Sequence, residues 1–94
     1  FEGLVIDQVR REVTRQGELV ALTSTEYELL CLLAREPGRV FNRDEILNSL
    51  RGHEADLYTR AVDILVSRLR RKLEPLDVIK TLRNAGYTFA GAPV

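Results

Sequence analysis

The stretch RAVDILVSRLRRKLE, residues 60–74, decides how the rest of the chain is read. Wound as a helix at about 100° per residue, it places Val62, Val66, Leu69 and Leu73 in one apolar stripe about 60° wide. Arg60, Arg68, Arg71 and Lys72 spread over about 120° roughly opposite. Ile64 falls in the middle of that basic arc, with Leu65 at its edge. The spacing therefore predicts a helix with one face in a core and one cationic face. Because the inward stripe is already complete, Ile64 has no packing role to fill.

Upstream, TSTEYELLCLLAREPG (23–38) holds the clearest helix start. Thr23 and Glu26 have capping-box spacing, and Pro37-Gly38 supplies the stop. Tyr27, Leu30, Cys31 and Ala34 follow the spacing of a buried stripe, so Cys31 reads as a small core hydrophobe. In NRDEILNSL (42–50), Asn42 stands three residues before Glu45, and Ile46, Leu47 and Leu50 are apolar. GHEADLY (52–58) reads as a loop before the third helix, with Thr59 as that helix's cap and Pro75 beyond its end.

The first third reads as short strands. LVID (4–7), REVTR (11–15) and ELVAL (18–22) form a small antiparallel meander with a turn at Gly17. At the other end, VIKTLRNAGYTFAG has two strand-like pieces around RNAG. Asn84 and Gly86 accept positive φ there, so a hairpin is expected, with Tyr87 and Phe89 on one face. Meander, three helices and hairpin make an α+β fold.

The 94 residues suffice for one small domain, and 45% hydrophobic with 30% charged content suits a folded chain. One cysteine excludes an internal disulfide and cannot alone build a structural zinc site. No apolar run approaches the ~18 residues that span a bilayer. The opening FEGLVIDQVRRE has no signal-peptide core, so a reducing, cytoplasmic setting is the default expectation. Because the sequence does not begin with Met, an excised domain is expected. Net charge is zero but polarised: residues 1–59 carry 7 basic and 11 acidic side chains, residues 60–94 carry 7 and 3. A nucleic-acid binder needs a basic face rather than a basic total. The polarity also suits an acidic protein partner or self-association.

Catalytic chemistry finds no support. There is no phosphate-binding loop and no dinucleotide glycine fingerprint. His53, the only histidine, lies with Glu54 and Asp56 in the expected loop, where such residues are ordinarily just solvated. Ser24, Ser49 and Ser67 have no local histidine to activate them, so a hydrolase triad would have to use His53. No enzyme activity, metal or cofactor is expected. The helix over 60–73, preceded by a helix and a loop, fits a helix-turn-helix variant whose later helix enters the major groove. Arg60, Arg68 and Arg71 share a face from which they reach guanine edges or phosphates. Arg83 at the hairpin tip offers a second contact, in a narrow minor groove. A merely solvated arginine face is the plain alternative.

Three segments, LTSTEYELLCLLAREPGRVFNRDEIL, RAVDILVSRLRRKLE and IKTLRNAGYTF, occur in that order. Together they resemble the winged-helix effector domain of bacterial two-component response regulators of the OmpR/PhoB family, from about Leu19 to Phe89. The resemblance implies a winged helix-turn-helix with a four-stranded N-terminal sheet, three helices and a hairpin wing, as one domain over residues 1–94. It also implies sequence-specific binding of double-stranded promoter DNA for transcription regulation, usually by two domains on tandem direct repeats. A phospho-accepting receiver domain normally precedes such a domain. No receiver-like βα repeat occurs here, so phosphorylation is assigned to none of these residues.

Position by position, the resemblance implies base contacts from Arg68, from Ile64 and Leu65 with Ala61 nearby, and from Arg83 in the minor groove. It implies phosphate contacts from Arg60, Ser67, Arg70, Thr81 and Tyr87, the last also partly in the core. Arg71 and Lys72, in the basic arc, are expected on phosphates as well. Loop 52–58 matches the place where some members touch RNA polymerase. Leu65 replaces a common histidine, Arg51 replaces a frequent tryptophan and offers a phosphate contact instead, and Asn84 replaces a frequent glycine. These departures bear on the target sequence rather than on the class. On DNA, Ile64 would meet thymine methyl groups, which are read by apolar contact. A winged module that binds protein instead is the competing expectation, supported by the neutral total charge and by Ile64 and Leu65 among the cations.

Overall fold

The computed structural model describes residues 3–50 and 59–91, with the side chains of the third helix described from Val62 onward. Strands β1 (Leu4–Asp7), β2 (Glu12–Arg15) and β3 (Glu18–Val20) form an antiparallel meander in that order. The Asp7 carboxylate folds the first turn by accepting from the N–H groups of Val9 (3.0 Å) and Arg10 (3.1 Å). Gln16 and Gly17, at φ 50° and 86°, make the second, a tight turn whose twist suits the strands. Leu4 and Val13 face inward and are buried, whereas Val5 and Leu19 stay exposed.

The four-stranded sheet implied by the resemblance is corrected here: among the described residues the N-terminal sheet has three strands. Between β3 and the first helix only Ala21, Leu22 and Thr23 remain, and none of the three lies in a strand.

Helix α1 (Ser24–Arg35) starts as expected. Thr23 Oγ1 accepts from the Glu26 N–H at 3.2 Å, and Glu26 Oε1 accepts from the Thr23 N–H at 2.9 Å. Tyr27, Leu30 and Ala34 are buried, while Cys31 is only partly covered at the margin of the core. Leu29 and Leu33, outside the expected stripe, are fully buried too, because α1 packs against α2, α3 and the wing together. Helix α2 (Arg43–Leu50) follows the short strand β4 (Val40–Phe41). Asn42 caps it: its Oδ1 accepts from the Glu45 N–H at 2.8 Å, and Glu45 Oε1 accepts from the Asn42 N–H at 3.0 Å. Ile46, Leu47 and Leu50 point into the core.

Helix α3 (Thr59–Leu73) buries Val62, Val66, Leu69 and Leu73 to 1% exposure or less, whereas Ile64 is 47% exposed. The inward stripe and the stranded aliphatic are therefore both real. The expected cap at Thr59 and the loop with His53 lie outside the described residues and side chains.

The wing consists of β5 (Ile79–Leu82) and β6 (Gly86–Phe89), and β4 pairs with β6 to give the order β4-β6-β5. Two residues carry no periodic signal, so β4 was not anticipated. Asn84 turns the hairpin at φ 64°. At Gly86, φ is 137° and an added Cβ would lie 2.0 Å from the Phe41 carbonyl oxygen, so the approach of β4 admits only glycine. Tyr87 and Phe89 are both buried, on the shared face expected of them.

Leu69→Ala should cost about 2–5 kcal/mol through the cavity it leaves, and Ile64→Ala within about 0.5 kcal/mol. Gly86→Ala should cost more than about 1 kcal/mol through strain. Urea midpoints at unchanged slope check all three.

Candidate nucleic-acid interface

Ile64, Ser67, Arg68 and Arg71, with Asp63 at the side, line a shallow hollow of about 390 Å³ on the outer face of α3. Residues three and four apart share one side of a helix, which brings these positions together although no two are adjacent except at 63–64 and 67–68. Ser67, Arg68 and Arg71 are exposed. Leu65 sits further round the helix, half-buried and packed against the core. Of the remaining expected contacts, Arg83 is exposed in the turn between β5 and β6. Arg51 and loop 52–58 lie outside the described residues, as do the side chains of Arg60 and Ala61.

Several of the expected phosphate contacts are already engaged within the fold. Lys72 Nζ donates to Glu26 Oε1 at 2.6 Å, and Glu26 is only 2% exposed. Burial raises the Glu26 carboxyl, but the Lys72 ammonium and the Thr23 donors outweigh it and hold it below its ordinary value. Arg15 Nη1 also donates to the Lys72 carbonyl at 2.7 Å. Lys72 therefore leans off the basic arc toward α1, and the exposed cationic face is narrower than a helical wheel predicts.

On the opposite flank, Arg70 Nε donates to the Ile79 carbonyl at 3.1 Å and Arg70 Nη2 donates to Thr81 Oγ1. Arg70 and Thr81, expected as separate phosphate contacts, thus bind each other. Tyr87 is 5% exposed, and its hydroxyl donates to Asp63 Oδ1. Of the two places expected for it, core and phosphate, the ring takes the core, and in the free fold the hydroxyl is bonded to Asp63. The same Asp63 oxygen accepts from Arg43 Nε at 2.8 Å. The Arg43 and Arg70 guanidinium carbons lie 5.5 and 5.6 Å from the centroid of the Tyr87 ring, within cation–π range. The Tyr87 hydroxyl holds the Asp63 carboxyl below its ordinary range, with Arg43 adding to this against the effect of burial. Neither the Glu26–Lys72 pair nor this cluster was anticipated. The one local signal was Asp63 itself, a carboxylate in a helix rich in cations.

Among the described residues, no group of three or more His, Cys, Asp or Glu could hold a metal ion. No described helix is long and apolar enough to cross a membrane.

Residues 17–89 match the family described as "Transcriptional regulatory protein, C terminal". The transcriptional regulatory protein RstA of Escherichia coli (strain K12) is 43% identical over 95 residues, which cover 96% of this chain and 39% of RstA. The chain thus spans about two fifths of the length of that relative. The Klebsiella pneumoniae RstA DNA-binding domain, crystallised in complex with the RstA box, has a similar fold. Its TM-score is 0.82 at 41% identity, over 94% of this chain and 91% of that one. The response regulator DrrB, a Thermotoga maritima OmpR/PhoB homologue, gives a TM-score of 0.86 at 32% identity, over 97% of this chain and 43% of DrrB.

Because the Glu26 carboxyl titrates lower when folded, its contribution is complete above the unfolded value of about 4.5 and is lost as pH falls through the folded value. Urea unfolding of Glu26→Gln between about pH 3 and 7 should show lower stability than the parent at neutral pH. The two proteins should converge as acid is added, whereas a constant offset at every pH would exclude the ion pair as the source.

Proposed function

The chain belongs to the OmpR/PhoB family of transcriptional regulatory proteins, as a C-terminal part, and from that premise we propose that it binds double-stranded promoter DNA sequence-specifically. Helix α3 enters the major groove and the wing tip reaches the minor groove. The observation that carries this is the exposed set Ile64, Arg68 and Arg71 on a helix whose opposite stripe is fully buried. A rigidly backed helix with long cationic side chains outward suits groove insertion. The K. pneumoniae RstA domain in complex with its box supports the same use of this fold.

Arg68 reads a base edge, with bidentate contact to guanine as its strongest option. Ile64 reads thymine methyls, and Ala61 and the half-buried Leu65 shape the margin of that contact. Arg60, Ser67 and Arg71 hold phosphates along the helix, Arg51 holds one before it, and the joined Arg70–Thr81 pair meets the backbone at the base of the wing. Arg83 occupies the minor groove. Zero net charge is no obstacle, because the phosphates meet only this face.

In the longer bacterial protein, residues 1–94 act as one effector domain behind a receiver domain, in the cytoplasm. Two such domains sit on tandem direct repeats, and loop 52–58 is available to RNA polymerase.

Selection from random DNA should return a preferred site. On that site Arg68→Ala should cost about 1–3 kcal/mol and blur one base position. Arg71→Ala should weaken selected and scrambled DNA alike and reduce the salt slope by about one. Equal losses on both DNAs for Arg68→Ala would reject its base-reading role. Ile64→Ala should lower the preference for thymine at one or two positions, read from a second selection, without loss of stability.

A further inference from the structure

Asp63 is the one acidic residue in α3, and it lies beside the face that carries Ile64, Arg68 and Arg71. A carboxylate there works against phosphate binding, since like charges brought together are unfavourable. Its bonds show what it does instead. Oδ1 accepts from the Tyr87 hydroxyl, which comes from β6, and from Arg43 Nε, which comes from α2. Seven residues on, Arg70 bonds to Ile79 and Thr81 of β5. Two helical turns put these attachments about 10 Å apart on the same flank. Thr81 and Tyr87 are direct cross-strand partners, so both attachments grip the same part of the wing. Pairing with β4 and the buried Ile79, Tyr87 and Phe89 hold the base of the wing, and these two attachments tie it directly to α3.

We propose that Asp63 is a positioning residue: by holding the Tyr87 hydroxyl and the Arg43 guanidinium, it fixes the wing relative to α3 so that Arg68 and Arg83 engage their two grooves together. The proposal rests on the reading of α3 and the wing as DNA contacts. Arg43 also balances the Asp63 charge, so the junction is held without adding a free anion to the DNA-facing side. Removing the Tyr87 hydroxyl releases one of the two attachments to α3 and leaves its exposed face intact.

The test is a double-mutant cycle on the selected DNA site, pairing Arg83→Ala with Tyr87→Phe, which keeps the buried ring. In the parent protein Arg83→Ala should lower affinity about tenfold. In the Tyr87→Phe background it should cost less than about twofold, because the tip is no longer delivered to its groove. Arg68→Ala should cost the same factor in both backgrounds. Asp63→Ala, which removes the shared acceptor, should reproduce the loss of coupling. Unfolding midpoints establish that each variant is folded.

If Arg83→Ala costs the same factor in both backgrounds, Asp63 and Tyr87 serve stability alone and the proposal is overturned. It is equally overturned if Asp63→Ala leaves the coupling intact, and a changed base preference in that variant would then mean that Asp63 reads DNA directly. If Arg83→Ala has no effect in the parent, the wing's DNA contact fails. Backbone order parameters of Leu82–Gly86 in the free protein then decide the positioning claim. They should match those of α3 in the parent and fall in Tyr87→Phe; unchanged values reject it.

Discussion

Helix α3 has one inward stripe, and the placing of α1 and α2 depends on covering it. Val62, Val66, Leu69 and Leu73 are almost fully removed from solvent, and α1 and α2 both pack against the helix. Burying four aliphatic side chains stabilises the fold by about 1.5–3 kcal/mol each. An exposed ion pair contributes about 0–1 kcal/mol, so the stripe rather than the surface charges sets how α3 sits. Once that side is committed inward, helical geometry leaves Ile64, Arg68 and Arg71 facing out.

Polar contacts then refine what apolar packing allows. On one flank the buried Glu26 carboxylate takes the Lys72 ammonium, and on the other Asp63 and Arg70 tie the helix to the wing. These bonds divide the cations into two kinds. Lys72, Arg70 and Arg43 are bonded to other parts of the fold, whereas Arg68, Arg71 and Arg83 are exposed at its surface. Charge counting treats them all alike, but their partners do not.

Most of the architecture could be read from local patterns. Capping boxes at Thr23–Glu26 and Asn42–Glu45 marked two helix starts, and both formed as the spacing requires. The turn at Gly17 and the Asn84–Gly86 hairpin followed from residues that accept positive φ. Local patterns failed where contacts come from far along the chain. Leu29 and Leu33 are buried because three neighbours cover α1, and a single-stripe rule assumes only one. Strand β4 exists because β6 offers it a free edge, and two residues cannot announce that in advance.

The candidate interface divides the same way. Periodicity alone separated the inward from the outward residues of α3 and singled out Ile64, because 3.6 residues per turn fix the faces of any helix. Which of the outward cations stay available depends on side chains distant in sequence. Glu26 lies 46 positions before Lys72, and Tyr87 lies 24 after Asp63. Only tertiary packing brings such groups within bonding distance, and a buried or shared carboxylate holds whichever cation or hydroxyl it meets there.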